Sequence, residues 1–210
     1  MVKKDDFASG ELINHLRENI GEPSFVNMEG FMQSINIDLI VFEANTNRNY
    51  HTIVTSGMSN YSSNVEVGYE EWQYTELIMY LPSDWPVRKT DIQDFEWYWP
   101  FGWLRKLGKF TFDHQTWFCY GDSIPNGDPP QLLSNKNPFA GFMLLPPINE
   151  NPDLFTLKTS DKEIQFLVAF PVFLEEMNFL RNNNFTLLLE KFDDFHINDI
   201  INLQRANVCE

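Results

Sequence analysis

The stretch Thr75-Glu76-Leu77-Ile78-Met79-Tyr80-Leu81 decides the fold class. Its short run of apolar and aromatic residues, closed by Pro82, fits a strand that is polar at its start and covered on both faces afterwards. Upstream, Ile35, Ile37, Leu39 and Val41 alternate with Asn36, Asp38, Ile40 and Phe42, a period of two that predicts a strand over Ile35–Glu43. Tyr50–Thr55 is a strand of the same kind, and the Ser- and Asn-rich Gly57–Gly68 stretch is a loop. Further back, Leu12, Ile13, Leu16 and Ile20 follow Ser9 and precede Gly21 and Pro23, which predicts an amphipathic helix with an N-cap and a C′ glycine. Downstream, Phe95, Trp99, Trp103, Leu104 and Leu107 recur at helical spacing within Asp91–Lys109, as one short helix meeting a longer one.

Thr116–Tyr120, Phe139–Leu145, Leu154–Lys158 and Ile164–Phe170 read as further strands, the last two joined by a hairpin loop over Thr159–Glu163. Helical patterns close the chain at Leu174–Asn182, Thr186–Phe195 and Asn198–Arg205. Strands and helices do not alternate regularly, so a doubly wound parallel sheet is disfavoured. The expectation is an α+β fold: a single domain over 1–210, with a mixed, largely antiparallel sheet flanked by helices. The Pro-rich Ser123–Pro138 stretch is read as an ordered surface loop, since it carries Ile124, Leu132 and Leu133.

Thirty acidic residues against fifteen basic ones give a net charge of −15, with 16 acids in residues 1–110 and 14 in 111–210. Acidity so spread repels phosphate backbones and anionic lipid heads, so neither nucleic acid nor membrane is an expected partner, and basic proteins are favoured. The plainer reading of the same acidity is solubility. Two cysteines, Cys119 and Cys209, make no disulfide framework, and a reducing cytoplasm is the expected compartment. No apolar run approaches the ~18 residues of a membrane span, and Met1-Val2-Lys3-Lys4-Asp5-Asp6 has no apolar core behind its lysines.

Four blocks, in order, resemble the suppressor of fused domain family: Thr52–Ser59, Thr75–Trp85, Ile124–Pro130, and Leu144-Leu145-Pro146-Pro147 with Phe155–Lys158. The closing Phe170-Pro171, Glu175-Glu176-Met177 and Asn207-Val208-Cys209 are similar to the compact single-domain bacterial members. The resemblance covers about 37–210. It departs from the family at Asp122-Ser123, where histidine-threonine is usual, at Gln131-Leu132-Leu133, where Glu-Pro-Phe is usual, and at Gly102, where an arginine or similar residue is common. The resemblance implies protein binding without catalysis or cofactor. Animal members sequester a transcription factor of the Hedgehog pathway, and bacterial members have been proposed as immunity proteins that neutralise a cognate polymorphic toxin, often a nuclease.

Each motif has a plainer role beside its functional one. Ser56 before Gly57 lacks the flanking glycines of a nucleophile elbow, and the hydroxyls of Thr55, Ser56 and Ser59 suit local backbone bonding while Gly57 permits positive φ. Thr55, Ser56, Gly57 and Met58 stand as binding candidates through the family motif. Pro125-Asn126-Gly127-Asp128 before Pro129 is a rigid turn, and rigid turns make good binding platforms. Asp113, His114 and Cys119 offer neither a zinc-like spacing nor a nucleophile arrangement, so no metal or catalytic residue is expected. In Trp97–Trp103, helical spacing sends Trp99 and Trp103 to the core and leaves Trp97 or Phe101 for exposure. Glu70-Glu71 and Asp193-Asp194 are candidate acidic patches for a basic partner, above all a toxin held one-to-one. The rival readings are a module that holds an extended peptide on a sheet edge and, behind it, a hydrolase.

Overall fold

The computed structural model describes residues 10–30, 35–88, 90, 95–135 and 137–210. Within them run four α-helices, α1 (Gly10–Asn19), α2 (Trp99–Asp113), α3 (Leu174–Asn182) and α4 (Phe185–Asp194). The strands are β1 (Phe25–Asn27), β2 (Asp38–Phe42), β3 (Tyr50–Ser56), β4 (Thr75–Pro82), β5 (Ser123–Pro125), β6 (Phe139–Leu145), β7 (Thr156–Lys158) and β8 (Glu163–Phe173). They form one sheet in the order β1-β2-β3-β4-β8-β6-β5, with β7 also paired to β8. All described strand pairings are antiparallel except β4 with β8, which runs parallel from Thr75↔Gln165 to Ile78↔Val168. The expected α+β class and mixed, largely antiparallel sheet are therefore observed.

Alternation along the strands builds two cores. Leu39, Val41, Ile53, Leu77, Met79 and Leu81 face α2, where Trp99, Phe101, Leu104 and Leu107 close the first core. Ile40, Phe42, Val54, Ile78 and Tyr80 face the opposite way, onto Leu12 and Leu16 of α1, Met177 of α3 and Leu188 and Phe192 of α4. Both faces being covered explains why β4 and β8 read as continuous apolar runs. Gly108 lets α2 lie close to the sheet: a Cβ there would stand 3.2 Å from Ile37 Cγ2. Pro100 sits in the first turn of α2, where its missing N–H costs no helical bond. The Asn184 side chain caps α4 by accepting from the Thr186 N–H at 3.1 Å.

Several expectations need correction. Thr116–Tyr120 is not a strand but the irregular return after α2, where Cys119 N–H is taken by the Asp122 carboxylate at 2.8 Å. Asn198–Arg205 is not a helix; its backbone is drawn onto β4 by Ile201 N–H donating to Tyr80 O at 2.9 Å. Leu154 lies in a 3-10 turn (Pro152–Phe155), so β7 begins only at Thr156. Within Trp97–Trp103 it is Trp97 that is exposed, at 40%, while Phe101 is fully buried. The two edge strands β1 and β5 are short segments that carry no periodic pattern. The expected cap Ser9, Ser34 at the start of β2's pattern and the 91–94 part of the α2 region lie outside the described residues.

Candidate functional site

The strand β3 and the turn after it enclose a buried carboxylate. Glu76 is fully buried; its Oε2 accepts from Thr55 Oγ1 at 2.6 Å, and its Oε1 accepts from Gly57 N–H, Ser59 N–H and Ser59 Oγ at 3.1, 3.0 and 2.7 Å. Burial raises the Glu76 pKa, opposed by these donors. Gly57 has φ 125°, and a Cβ there would run into the Asn36 carbonyl. Thr55, Gly57 and Ser59 are thus tied to the fold, and Met58 is buried at 4%. Ser56 is half-buried and, with Gly57, lines a polar cavity of about 320 Å³ beside Asp38, Asn60 and Lys162.

The turn at Pro125–Asp128 stands at the sheet edge beyond β5. Asn126 donates its side-chain amide to the carbonyls of Gln131 and Leu132 at 3.2 and 3.0 Å, Gly127 takes φ 93°, and Asp128 pairs with Arg181 at 3.1 Å. The structure therefore keeps Asn126 engaged inside the loop and leaves Gly127 and Asp128 outermost. Asp193 and Asp194 are exposed at the end of α4, on the second-core side. Glu70 and Glu71 are exposed in a 3-10 turn whose Trp72 packs against the first core. The four groups of candidates do not converge on one site.

A surface that the motif reading missed lies around Glu70 and Glu71. Tyr69 meets Trp117 with ring centroids 4.8 Å apart, and Tyr61 meets Phe112 edge-to-face at 5.2 Å. Tyr61, Val67, Tyr69 and Phe112 remain exposed at 39, 96, 45 and 43%. Neither Gly57–Tyr74 nor Phe110–Asp122 contains a lysine or arginine, whereas Glu66, Glu70, Glu71, Asp113 and Asp122 all fall there. Three cations elsewhere turn inward: Arg105 donates to Ile37 O and Asn27 O, Lys109 pairs with Glu29, and Arg205 is buried against Glu176. The sequence hint was the loop's unusual mixture of aromatics with acids alone, which its Ser/Asn content masked.

His114 packs on Phe110, and burial pushes the Cys119 thiol up to about 12, with Asp122 adding to it, so no thiolate forms near neutrality. Among the described residues no cluster of three His, Cys, Asp or Glu side chains could hold a metal. No helix among them is long and apolar enough to cross a membrane.

The sequence model of the suppressor of fused protein family matches residues 33–206. This chain belongs to the suppressor of fused family. Solved structures share the family fold. A protein described as a suppressor of fused homologue from Neisseria gonorrhoeae superposes with TM-score 0.63 at 14% identity, covering 94% of each chain. A chain of the Sufu–Fu complex gives TM-score 0.63 at 18% identity over 93% of this chain and 89% of its own. Drosophila Suppressor of Fused gives 0.62 at 18% identity, and this chain, 93% covered, spans 50% of it. No curated protein matches the chain in sequence.

Proposed function

We propose that this suppressor of fused domain is a non-catalytic inhibitor that binds a basic protein, a cognate toxin such as a nuclease, through the face made by Gly57–Tyr74 and the end of α2. The observation that carries this reading is the exposed apolar set Tyr61, Val67, Tyr69 and Phe112, on segments that carry Glu66, Glu70, Glu71 and Asp113 but no lysine or arginine. Aromatic anchors supply buried area at low entropy cost, and the acidic rim steers a cationic partner. A relative crystallised in a complex with a protein supports protein binding as the mode. Peptide addition to a sheet edge is less well served, because β1 and β5 are only three residues each and offer few ladder positions.

The test is calorimetric titration with the product of the adjacent gene. A one-to-one complex that Glu70→Lys with Glu71→Lys weakens, and that Asp193→Lys with Asp194→Lys leaves intact, supports the reading. No complex, or the opposite dependence on the two pairs, overturns it.

A further inference from the structure

We propose that the cavity between the Tyr61–Asn64 turn and the last turn of α2 takes an arginine side chain presented by the partner, an inference that rests on the basic-partner reading above. The cavity holds about 500 Å³, and its lining includes the buried apolar side chains of Ile35 and Met58 and the backbone of Gly108. Its wall is the Tyr61–Phe112 ring pair, and Asp113 stands at the rim with Asn64 and Gln115.

This combination suits a guanidinium on a methylene stem. The stem buries on Ile35 and Met58, ring faces attract a cation, and a carboxylate with neighbouring amide oxygens can accept from several of its N–H groups at once. An ammonium would use the charge but not the planar fork. No lysine or arginine lines the cavity, and none of the ion pairs among the described residues uses Asp113. Lys162, which reaches toward this loop from the β7–β8 turn, is held by the Ser59 carbonyl at 2.7 Å. Gln115, just past the end of α2 with φ 51°, also lines the cavity.

The probe is N-acetyl-arginine N-methylamide, titrated into the isotopically labelled protein and followed by NMR, with the lysine analogue and the neutral citrulline analogue alongside. Saturable shifts at Tyr61–Asn64 and Phe112–Gln115, stronger for arginine than lysine and absent for citrulline, are expected. Asp113→Asn and Tyr61→Ala should each weaken binding about five- to tenfold. Asp113 is exposed, so its variant reports on the cavity even if Tyr61→Ala loosens the turn. Shifts elsewhere only, equal response to citrulline, or indifference to Asp113→Asn would overturn the proposal. If the adjacent gene's product binds wild type and Asp113→Asn alike, the cavity falls and the basic-partner reading stands; arginine uptake without binding of that product upholds the cavity and removes the toxin reading.

Discussion

Arg205 holds Glu176 through two hydrogen bonds, of 2.6 and 2.5 Å, in a space closed to solvent. The same carboxylate accepts from Phe173 N–H at the start of α3 and from Val208 N–H near the C-terminus, while the guanidinium reaches the Pro171 carbonyl and lies 4.5 Å from the centre of the Phe173 ring. One ion pair therefore joins β8, α3 and the closing segment. The resemblance at Phe170-Pro171, Glu175-Glu176-Met177 and Asn207-Val208-Cys209 marks this joint.

Removing either partner leaves a buried charge alone. Arg205→Met should cost about 3–5 kcal/mol, and Glu176→Gln added to it should restore part of that, because the orphaned charge disappears. Urea unfolding midpoints measure both. A loss under about 1 kcal/mol for Arg205→Met would show that the pair is dispensable.

Thr55 both donates to Glu76 Oε2 at 2.6 Å and accepts from Leu77 N–H at 2.7 Å. Thr55→Val should destabilise by about 2 kcal/mol, since a buried N–H and a buried carboxylate oxygen each lose a partner. Ser56→Ala, at the half-buried neighbour, should change stability by less than about 0.5 kcal/mol. Equal effects in denaturant unfolding would contradict this division of roles.

The sheet was largely legible because β2, β3, β4, β6 and β8 are apolar enough to be read from period and length alone. What escaped has physical causes. Phe25–Asn27 and Ser123–Pro125 are edge strands made by pairing to β2 and β6, not by their own pattern. Thr116–Tyr120 has strand-like composition, but its apolar residues fill the space beside α2, with Phe118 stacked on Phe110. Asn198–Arg205 has helical spacing that tertiary bonds override, as Ile201 on Tyr80 and Arg205 on Glu176 fix an irregular path that turns at Asn202–Arg205. The family blocks include Thr55–Met58, whose bonding centres on Glu76, a residue whose burial its neighbours in sequence do not announce. The aromatic face could not be found from spacing, because Tyr69 and Trp117 meet only through the fold.

Asp199 is buried beside Glu150, and its Oδ2 has no hydrogen-bond partner among the described residues; burial raises its pKa to about 6. A carboxyl whose folded pKa is raised binds its proton more tightly in the folded state, so stability should fall as pH rises from the unfolded value toward 6 and level off above it. The shift from 3.8 corresponds to about 3 kcal/mol. Asp199→Asn keeps an acceptor for Asn149 and removes the charge, so it should be more stable than wild type at pH 8 and lose that advantage near pH 4. Thermal unfolding across this range measures it. A wild-type profile flat from pH 4 to 7 would contradict the burial argument.

Capture of a basic partner by the acidic face around Tyr61 and Tyr69 requires association to depend on salt. Between ~0.01 and ~0.15 M ionic strength the screening length falls from ~30 to ~8 Å, so the association rate with the adjacent gene's product should drop about tenfold or more while dissociation changes little. Glu70→Lys with Glu71→Lys should slow association at low salt and flatten its salt dependence. A tight complex whose association rate ignores both salt and these substitutions would rule out electrostatic capture by this face.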